Sequence, residues 1–304
     1  MGVIGTGALG RHHVRILSGL ANVELVGIYD VRPEIASAVA AEFNTQAFSG
    51  LAPLASEIEA AVVAVPTIDH ATVGCPLLED GIHVLVEKPI APSLEEADRL
   101  VKAAGDAVLA VGHVEFYNPA VEQLLGIEQR PGFVEVHRLA AFSPRSLDVD
   151  VVLDLMIHDL QILHALDDSP VAEVRATGIS VLSDRIDIAN TRIALTSGCV
   201  ANLTASRVSA ERVRKLRAFL PSRGYYSVDY QDQEIKGFRL AQHGSERQIL
   251  PDPLEVEKQE PLKRELECFV AACRQQPSRL VDGLQGRRAL KTALRVLAAI
   301  AEIG

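Results

Sequence analysis

Nowhere in this 304-residue chain does an apolar stretch reach the roughly eighteen residues a bilayer-spanning helix needs, and since the residues run straight into the first glycine turn, no signal peptide is expected. No membrane partner is expected, and the chain reads as cytoplasmic. Its four cysteines, Cys75, Cys199, Cys268 and Cys273, form no CxxC pair and have no histidines at ligand spacing. Neither a disulfide framework nor a bound metal is expected; the thiols should be reduced and mostly packed. An excess of basic residues is missing too, with 30 Lys and Arg against 40 Asp and Glu and a formal net charge of -10. Nucleic acid is disfavoured as a partner, because neutralising phosphates takes a basic face. There is no internal repeat and no low-complexity linker. What is present is 48% hydrophobic and 23% charged, with length for two domains and apolar residues for a substantial core.

The first 113 residues alternate between β-rich runs at 1 to 4, 23 to 29, 61 to 65, 82 to 86 and 107 to 111 and helix-like segments at 8 to 20, 33 to 42, 71 to 80 and 93 to 104. Ser93 with Glu96 three residues later is a capping box for the last of these. Buried strands separated by helices imply a doubly wound parallel sheet, which binds ligands at the carboxyl ends of its strands. After His113 the texture changes. A helix near 118 to 126, a strand at 132 to 142 and a long helix at 148 to 166 lead into strands at 171 to 181, 188 to 196, 199 to 207, 214 to 220, 225 to 230 and 235 to 241. Thr196-Ser197-Gly198 reads as a hairpin turn, so this second sheet should be mostly antiparallel. Helices at 261 to 275 and 283 to 302 close the chain. The expected architecture is α/β: a dinucleotide-binding domain over 1–113 and an α+β domain with a large open sheet over 114–304.

The glycine run Gly5-Thr6-Gly7-Ala8-Leu9-Gly10 lies between a strand-like and a helix-like segment, and Asp30 ends the next apolar run twenty residues after Gly10. Gly5 permits a tight turn, Gly7 lets backbone approach a pyrophosphate, and Gly10 lets the helix pack on the sheet with its free N–H groups facing the anion. Asp30 can accept hydrogen bonds from ribose hydroxyls and repels a 2′-phosphate, which favours NAD over NADP, while Arg32 nearby could pair with a phosphate. Pro66-Thr67 and Glu87-Lys88-Pro89 fall at strand ends on the same rim, and His70 follows; all are candidates for the cofactor side of the site.

In the second domain Asp154, His158 and Gln161 fall at i, i+4 and i+7 on an otherwise apolar helix. Such a stripe faces either a satisfied internal network or a cleft. Lys88 favours the cleft. Alcohol oxidation needs a base for the hydroxyl proton and a cation for the developing alkoxide, and His158 and Lys88 can supply them, with Asp154 orienting the imidazole. A surface lysine after a strand is the plainer reading of Lys88. His113 and Glu115 could border the cleft and touch substrate, as could Tyr117 and Asn118. His13 reads as a packing or capping histidine, and His164 as a helix-surface or core group.

These residues resemble the glucose-fructose oxidoreductase and inositol dehydrogenase family (Gfo/Idh/MocA): a GxGxxGxxH loop at Gly5 to His13, the Glu87-Lys88-Pro89 strand end and the Asp154-x-x-x-His158 helix, over nearly the whole chain. The resemblance implies an NAD(P)-dependent dehydrogenase with Lys88, Asp154 and His158 as its catalytic trio. It also implies a homodimer or homotetramer joined through the open face of the second-domain sheet. Segments 111–115, 152–159 and 200–207 look most like the members that act on UDP-N-acetylglucosamine at C3, and Gln161 stands where many members carry a second aspartate. Arg207, Arg212, Arg214, Lys215 and Arg217 form a basic run with one acid, Glu211, which would suit a nucleotide-linked sugar or an ordinary solvated edge. Tyr225, Tyr226 and Tyr230 could stack on a base or be plain sheet residues. The expectation is a sugar dehydrogenase, plausible on a nucleotide sugar. Its rivals are an aldose, cyclitol or dihydrodiol dehydrogenase of the same fold and a non-catalytic NAD-binding sensor.

Overall fold

The apolar runs of the first third become a parallel sheet, built from β1 (Gly2–Ile4), β2 (Gly27–Tyr29), β3 (Gln46–Ala47), β4 (Ala60–Val63), β5 (His83–Glu87) and β6 (Leu109–Gly112). The computed structural model describes residues 1–142, 149–243 and 246–302. Strand order is β3-β2-β1-β4-β5-β6, with every pairing parallel, so the winding reverses between β1 and β4. Ligands bind at such a reversal, outside the strand ends. Between the strands run α1 (Ala8–Gly19), α2 (Pro33–Phe43), α3 (Leu51–Ala55), α4 (His70–Glu79) and α5 (Leu94–Ala104).

The helix ends follow local rules. Pro33 opens α2, and Asn44 closes it in the left-handed region at φ 52°. Ser93 caps α5 by accepting the Glu96 N–H at 3.2 Å. β2 covers 27 to 29 rather than the expected 23 to 29, because β1 offers it three partner residues. β3 and α3 are too short to show a periodicity in the sequence.

The second sheet is built on α6 (Pro119–Leu125), β7 (Phe133–Leu139), α7 (Ile157–Leu166), β8 (Val171–Ile179), β9 (Ile188–Leu195), β10 (Val200–Ser206), β11 (Val213–Leu220), β12 (Gly224–Asp229), β13 (Glu234–His243) and β14 (Glu246–Pro251). Its order is β14-β13-β12-β11-β7-β10-β9-β8; the β7–β10 pair is parallel and the rest antiparallel. Gly198, at φ +91°, makes the β9–β10 turn. The expected helix over 148–166 is instead a π-helical turn at Val152–Met156 running into α7, with the Ile157 N–H bonded to the Val152 carbonyl. Its expected start at residue 148 lies outside the described residues.

Two compact units result: Met1–Val114 with Glu260–Leu290, and Glu115–Gln259 with Lys291–Gly304. The segment 260–290, grouped by the sequence pattern with a second domain over 114–304, thus belongs to the first unit. The reason is burial. Leu266 and Phe269 of α8 (Pro261–Cys273) join Val3, Val14, Leu17, Ile28, Val62 and Leu85 in one apolar cluster. α9 (Gly283–Ala301) follows. No described helix is long and apolar enough to cross a membrane.

Candidate functional site

The glycine loop has the shape its sequence demands. Gly5 sits at φ +83°, and a Cβ there would lie 2.6 Å from the Ala64 carbonyl oxygen; a Cβ at Gly10 would lie 1.8 Å from the Gly5 carbonyl oxygen. Both positions exclude any side chain. At Gly7, by contrast, the one described atom within 4 Å of such a carbon is Arg32 Nη2, at 3.9 Å. The loop is therefore locked on its sheet side and open at Gly7, the N-cap of the twelve-residue α1, with Ala8 and Leu9 exposed in the first turn. That open N-terminus fits the pyrophosphate of a dinucleotide, because unpaired N–H groups and the helix dipole both favour an anion there. Buried Thr6 fastens the loop to β2, its N–H donating to Asp30 Oδ2 at 2.8 Å. Burial alone would raise the Asp30 carboxyl, but hydrogen bonds from Arg32 and Thr6 outweigh it and hold the group below its ordinary value.

At the next strand ends Pro66 is exposed and Thr67 half-buried. His70, a candidate for the cofactor side, is held by backbone carbonyls at both ring nitrogens. It is buried, with Nε2 at 3.0 Å from the Val65 carbonyl and Nδ1 at 3.0 Å from that of Pro89, so it straps the loops after β4 and β5 together. Burial lowers its imidazole against the pull of these carbonyls, so the neutral ring donates to one of the two at a time.

Lys88, half-buried at the end of β5, precedes a cis Pro89. Beneath it Glu87 Oε1 lies 2.7 Å from His13 Nε2, while Oε2 accepts the Lys88 N–H at 3.1 Å. Burial works to raise the Glu87 carboxyl, yet His13 and Lys88 prevail and hold it low. Gly112 leaves room for this carboxylate, since a Cβ there would meet Glu87 Oε2 at 2.9 Å and push it aside. His113 is fully buried, and burial together with the Lys88 charge lowers its imidazole to about 3, so it stays neutral. Sequence reasoning missed Glu265 of α8. It is fully buried, neither carboxylate oxygen is hydrogen-bonded among the described residues, and burial followed by the Glu87 charge lifts it well above the ordinary carboxylate range. A lone glutamate within an amphipathic helix gives no sequence signal for this.

In the second unit His158 is nearly buried on α7, Asp154 is half-buried in the π-turn and Gln161 is buried. π-turns interrupt α-helices most often at functional sites. Next to them stands a network that sequence reasoning did not foresee. Arg138 on β7 donates to Asp159 at 2.7 and 2.6 Å and to Glu115 at 2.8 Å, with its guanidinium 4.9 Å over the Tyr230 ring. Burial favours a neutral Arg138, but Asp159 and Glu115 keep it firmly cationic.

Several candidate substrate contacts are engaged by other groups of the protein. Glu115 is taken up by Arg138 and, at 3.4 Å, by Arg214. Tyr117 is fully buried, and Asn118 caps α6 through the Ala120 N–H at 3.1 Å while donating to the Tyr230 carbonyl at 2.9 Å. Arg207 is engaged in the same way. It is buried, donating to Asp187 at 2.8 Å, to the Val149 carbonyl at 2.7 Å and to Ser183 at 3.0 Å, which ties down the 181–187 loop instead of presenting a cation. Lys215 pairs with Asp229 and Arg217 with Glu135. Most of the basic run is thus paired within the protein, although Arg212, Lys215 and Arg217 are all exposed. Tyr226 and Tyr230 are core residues; Tyr225 lies between Phe219 and Phe238 on the outer face of the sheet.

A doubly wound sheet with a pyrophosphate-shaped loop at its winding reversal is a dinucleotide-binding domain. Comparison with known proteins agrees: residues 1–113 match the model of an oxidoreductase family with an NAD-binding Rossmann fold. Over 307 residues the chain is 36% identical to UDP-N-acetylglucosamine 3-dehydrogenase of Acidithiobacillus ferrooxidans, covering 98% of this chain and 96% of that protein. A solved structure of that enzyme superposes with a TM-score of 0.91, at 37% identity and the same coverage. Inositol 2-dehydrogenase of Rhizobium meliloti is 26% identical over 321 residues, covering 99% of this chain and 96% of that one. Levoglucosan dehydrogenase in complex with NADH and L-sorbose shares the fold at a TM-score of 0.86 and 18% identity, over 99% of this chain and 96% of that chain. The chain belongs to the Gfo/Idh/MocA oxidoreductase family.

Proposed function

We propose that this protein oxidises a secondary hydroxyl of a sugar carried on a nucleotide, of the kind of UDP-N-acetylglucosamine at C3, with NAD as hydride acceptor. The observation that carries the substrate is the full-length likeness to UDP-N-acetylglucosamine 3-dehydrogenase. The basic run no longer supports it, since its members are mostly paired. Asp30, ionised at the end of β2, supports NAD over NADP through ribose hydrogen bonding and repulsion of a 2′-phosphate. A cyclitol substrate is the second reading, favoured by the likeness to inositol 2-dehydrogenase.

A nicotinamide held by the glycine loop would supply the hydride acceptor for the carbinol carbon; the protein's part is proton and charge handling. His158 takes the hydroxyl proton, and Asp154, four residues before it, steadies the imidazole and its positive charge. The Lys88 ammonium stabilises the developing alkoxide, with Glu87 fixing the backbone under it through the 3.1 Å bond to its N–H. Gln161 has no assigned step. A homodimer or homotetramer is part of the reading: Phe133, Phe219, Tyr225 and Phe238 form a ring ladder on the outer sheet face, an apolar surface that a second copy would cover. A cytoplasmic setting accords with four unbridged cysteines.

Incubation of purified protein and NAD with UDP-N-acetylglucosamine, free N-acetylglucosamine and myo-inositol tests the reading. NADH should appear with the nucleotide sugar and far less with the free sugar. Activity confined to inositols or free aldoses would overturn the nucleotide-sugar substrate and leave the dehydrogenase. K88A and H158A should each lower turnover by about 10²-fold or more, as loss of charge stabilisation or general base does; near-normal rates in folded variants would make the polar stripe structural.

A further inference from the structure

The acid that ends β2 is covered by a cation. Asp30 Oδ2 accepts the Thr6 N–H at 2.8 Å and the Thr6 hydroxyl at 3.2 Å, while Oδ1 accepts the Arg32 backbone N–H at 3.0 Å and Arg32 Nε at 3.1 Å, with Nη2 reaching Oδ2 at 3.4 Å. The two partners differ sharply in exposure: the Asp30 side chain is 4% exposed and that of Arg32 56%. The guanidinium also borders the glycine loop, 3.9 Å from where a Cβ of Gly7 would stand. A cation therefore lies folded over the one carboxylate expected to choose between ribose and 2′-phosphoribose.

We propose that Arg32 is a movable counter-ion that lets this corner bind a 2′-phosphate as well as a free 2′-hydroxyl, so that the protein takes NADP besides NAD. This rests on the dinucleotide reading above. An ion pair with so exposed a cation holds weakly. When the guanidinium swings out, Asp30 keeps the backbone N–H bonds of Thr6 and Arg32, so neither oxygen is stripped of its partner. With NAD, the vacated lone pair on Oδ1 receives a ribose hydroxyl. With NADP, the same guanidinium meets the phosphate with paired N–H bonds and offsets the repulsion from Asp30. Because both cofactors require the same displacement, its cost drops out of their ratio. That ratio is set by Arg32 attraction against Asp30 repulsion, to which the charge of Glu34 adds, and NAD remains the tighter ligand.

The test is direct titration of NADH and NADPH, read by their own fluorescence, on wild type, R32A and R32K. Wild type should bind both. R32A should weaken NADPH at least about tenfold more than NADH, a difference of about 1.4 kcal/mol, and R32K should recover part of it, since a lysine keeps the charge without the paired geometry. An equal loss of both cofactors in R32A overturns the proposal, as does a wild type that binds NADH and not NADPH. A wild type that binds neither overturns the dinucleotide reading and this proposal with it.

Discussion

The two units use buried charge in opposite ways. In the first, the charged groups gather at strand ends around a glycine loop, and two of them stay within reach of solvent: Arg32 is largely exposed and Lys88 half-buried. In the second, charge is spent internally. Arg138 is clamped by Asp159 and Glu115, and Arg207 by Asp187, all of them buried. A buried ion pair of this kind adds little net stability but makes removal of one partner costly. The comparison teaches that a buried cation in the second unit is first a structural element, and that a basic run in sequence is no measure of the cations a ligand can meet.

The sharpest way to break the contrast is at the loop. G10A forces a carbon to within 1.8 Å of the Gly5 carbonyl oxygen, where backbone rather than a flexible side chain must yield. Stability should fall by about 3 kcal/mol or more, with dinucleotide binding lost; urea midpoints and NADH titration check it. R138A should cost a comparable 3–5 kcal/mol or so, because two carboxylates would be left buried without their cation. If its unfolding midpoint matches that of wild type, the network is not structural.

The buried acid of the first unit gives a subtler test. The folded pKa of Glu265 stands well above the 4.5 of an ordinary glutamate. Folded protein therefore holds a proton that the unfolded chain releases, so stability is greatest below that ordinary value and declines as pH rises toward the folded one. E265Q keeps the neutral shape, so its stability should vary less between pH 4 and pH 8 and should match or exceed wild type at pH 8. Equal slopes in the two proteins would refute a protonated Glu265. The smallest effect on the fold is expected from F219D, at a ring on the outer sheet face that is 38% exposed. Its unfolding free energy from urea titration should change by about 0.5 kcal/mol or less, while light scattering should show a lower mass; an unchanged mass would remove that face from the subunit contact.

How far the chain could be read shows in particular residues. The π-turn before α7 was invisible because its apolar pattern is that of an ordinary helix, and β14 because the strands before it gave no sign of another partner. His70 looked like a rim residue from its place after a strand, and became a strap because Val65 and Pro89 present their carbonyls to both ring nitrogens.

Contiguous sequence by itself determined the alternation of buried strands and helices in the first unit, the tight turn at Gly5, the cap of α5, and Lys88 at the end of β5. Each depends on backbone geometry within a few residues, where steric rules act alone. Tertiary structure decided which polar groups were consumed: Arg138 with Asp159 across 21 residues, Arg207 with Asp187 across 20, and Glu265 against Glu87 from the two chain segments of the first unit. It also placed α8 against α1 and not with the second sheet, through Leu266 and Phe269. The physical reason is that burial and pairing belong to both partners at once, and a residue's own neighbours in sequence carry no record of what the fold will set against it.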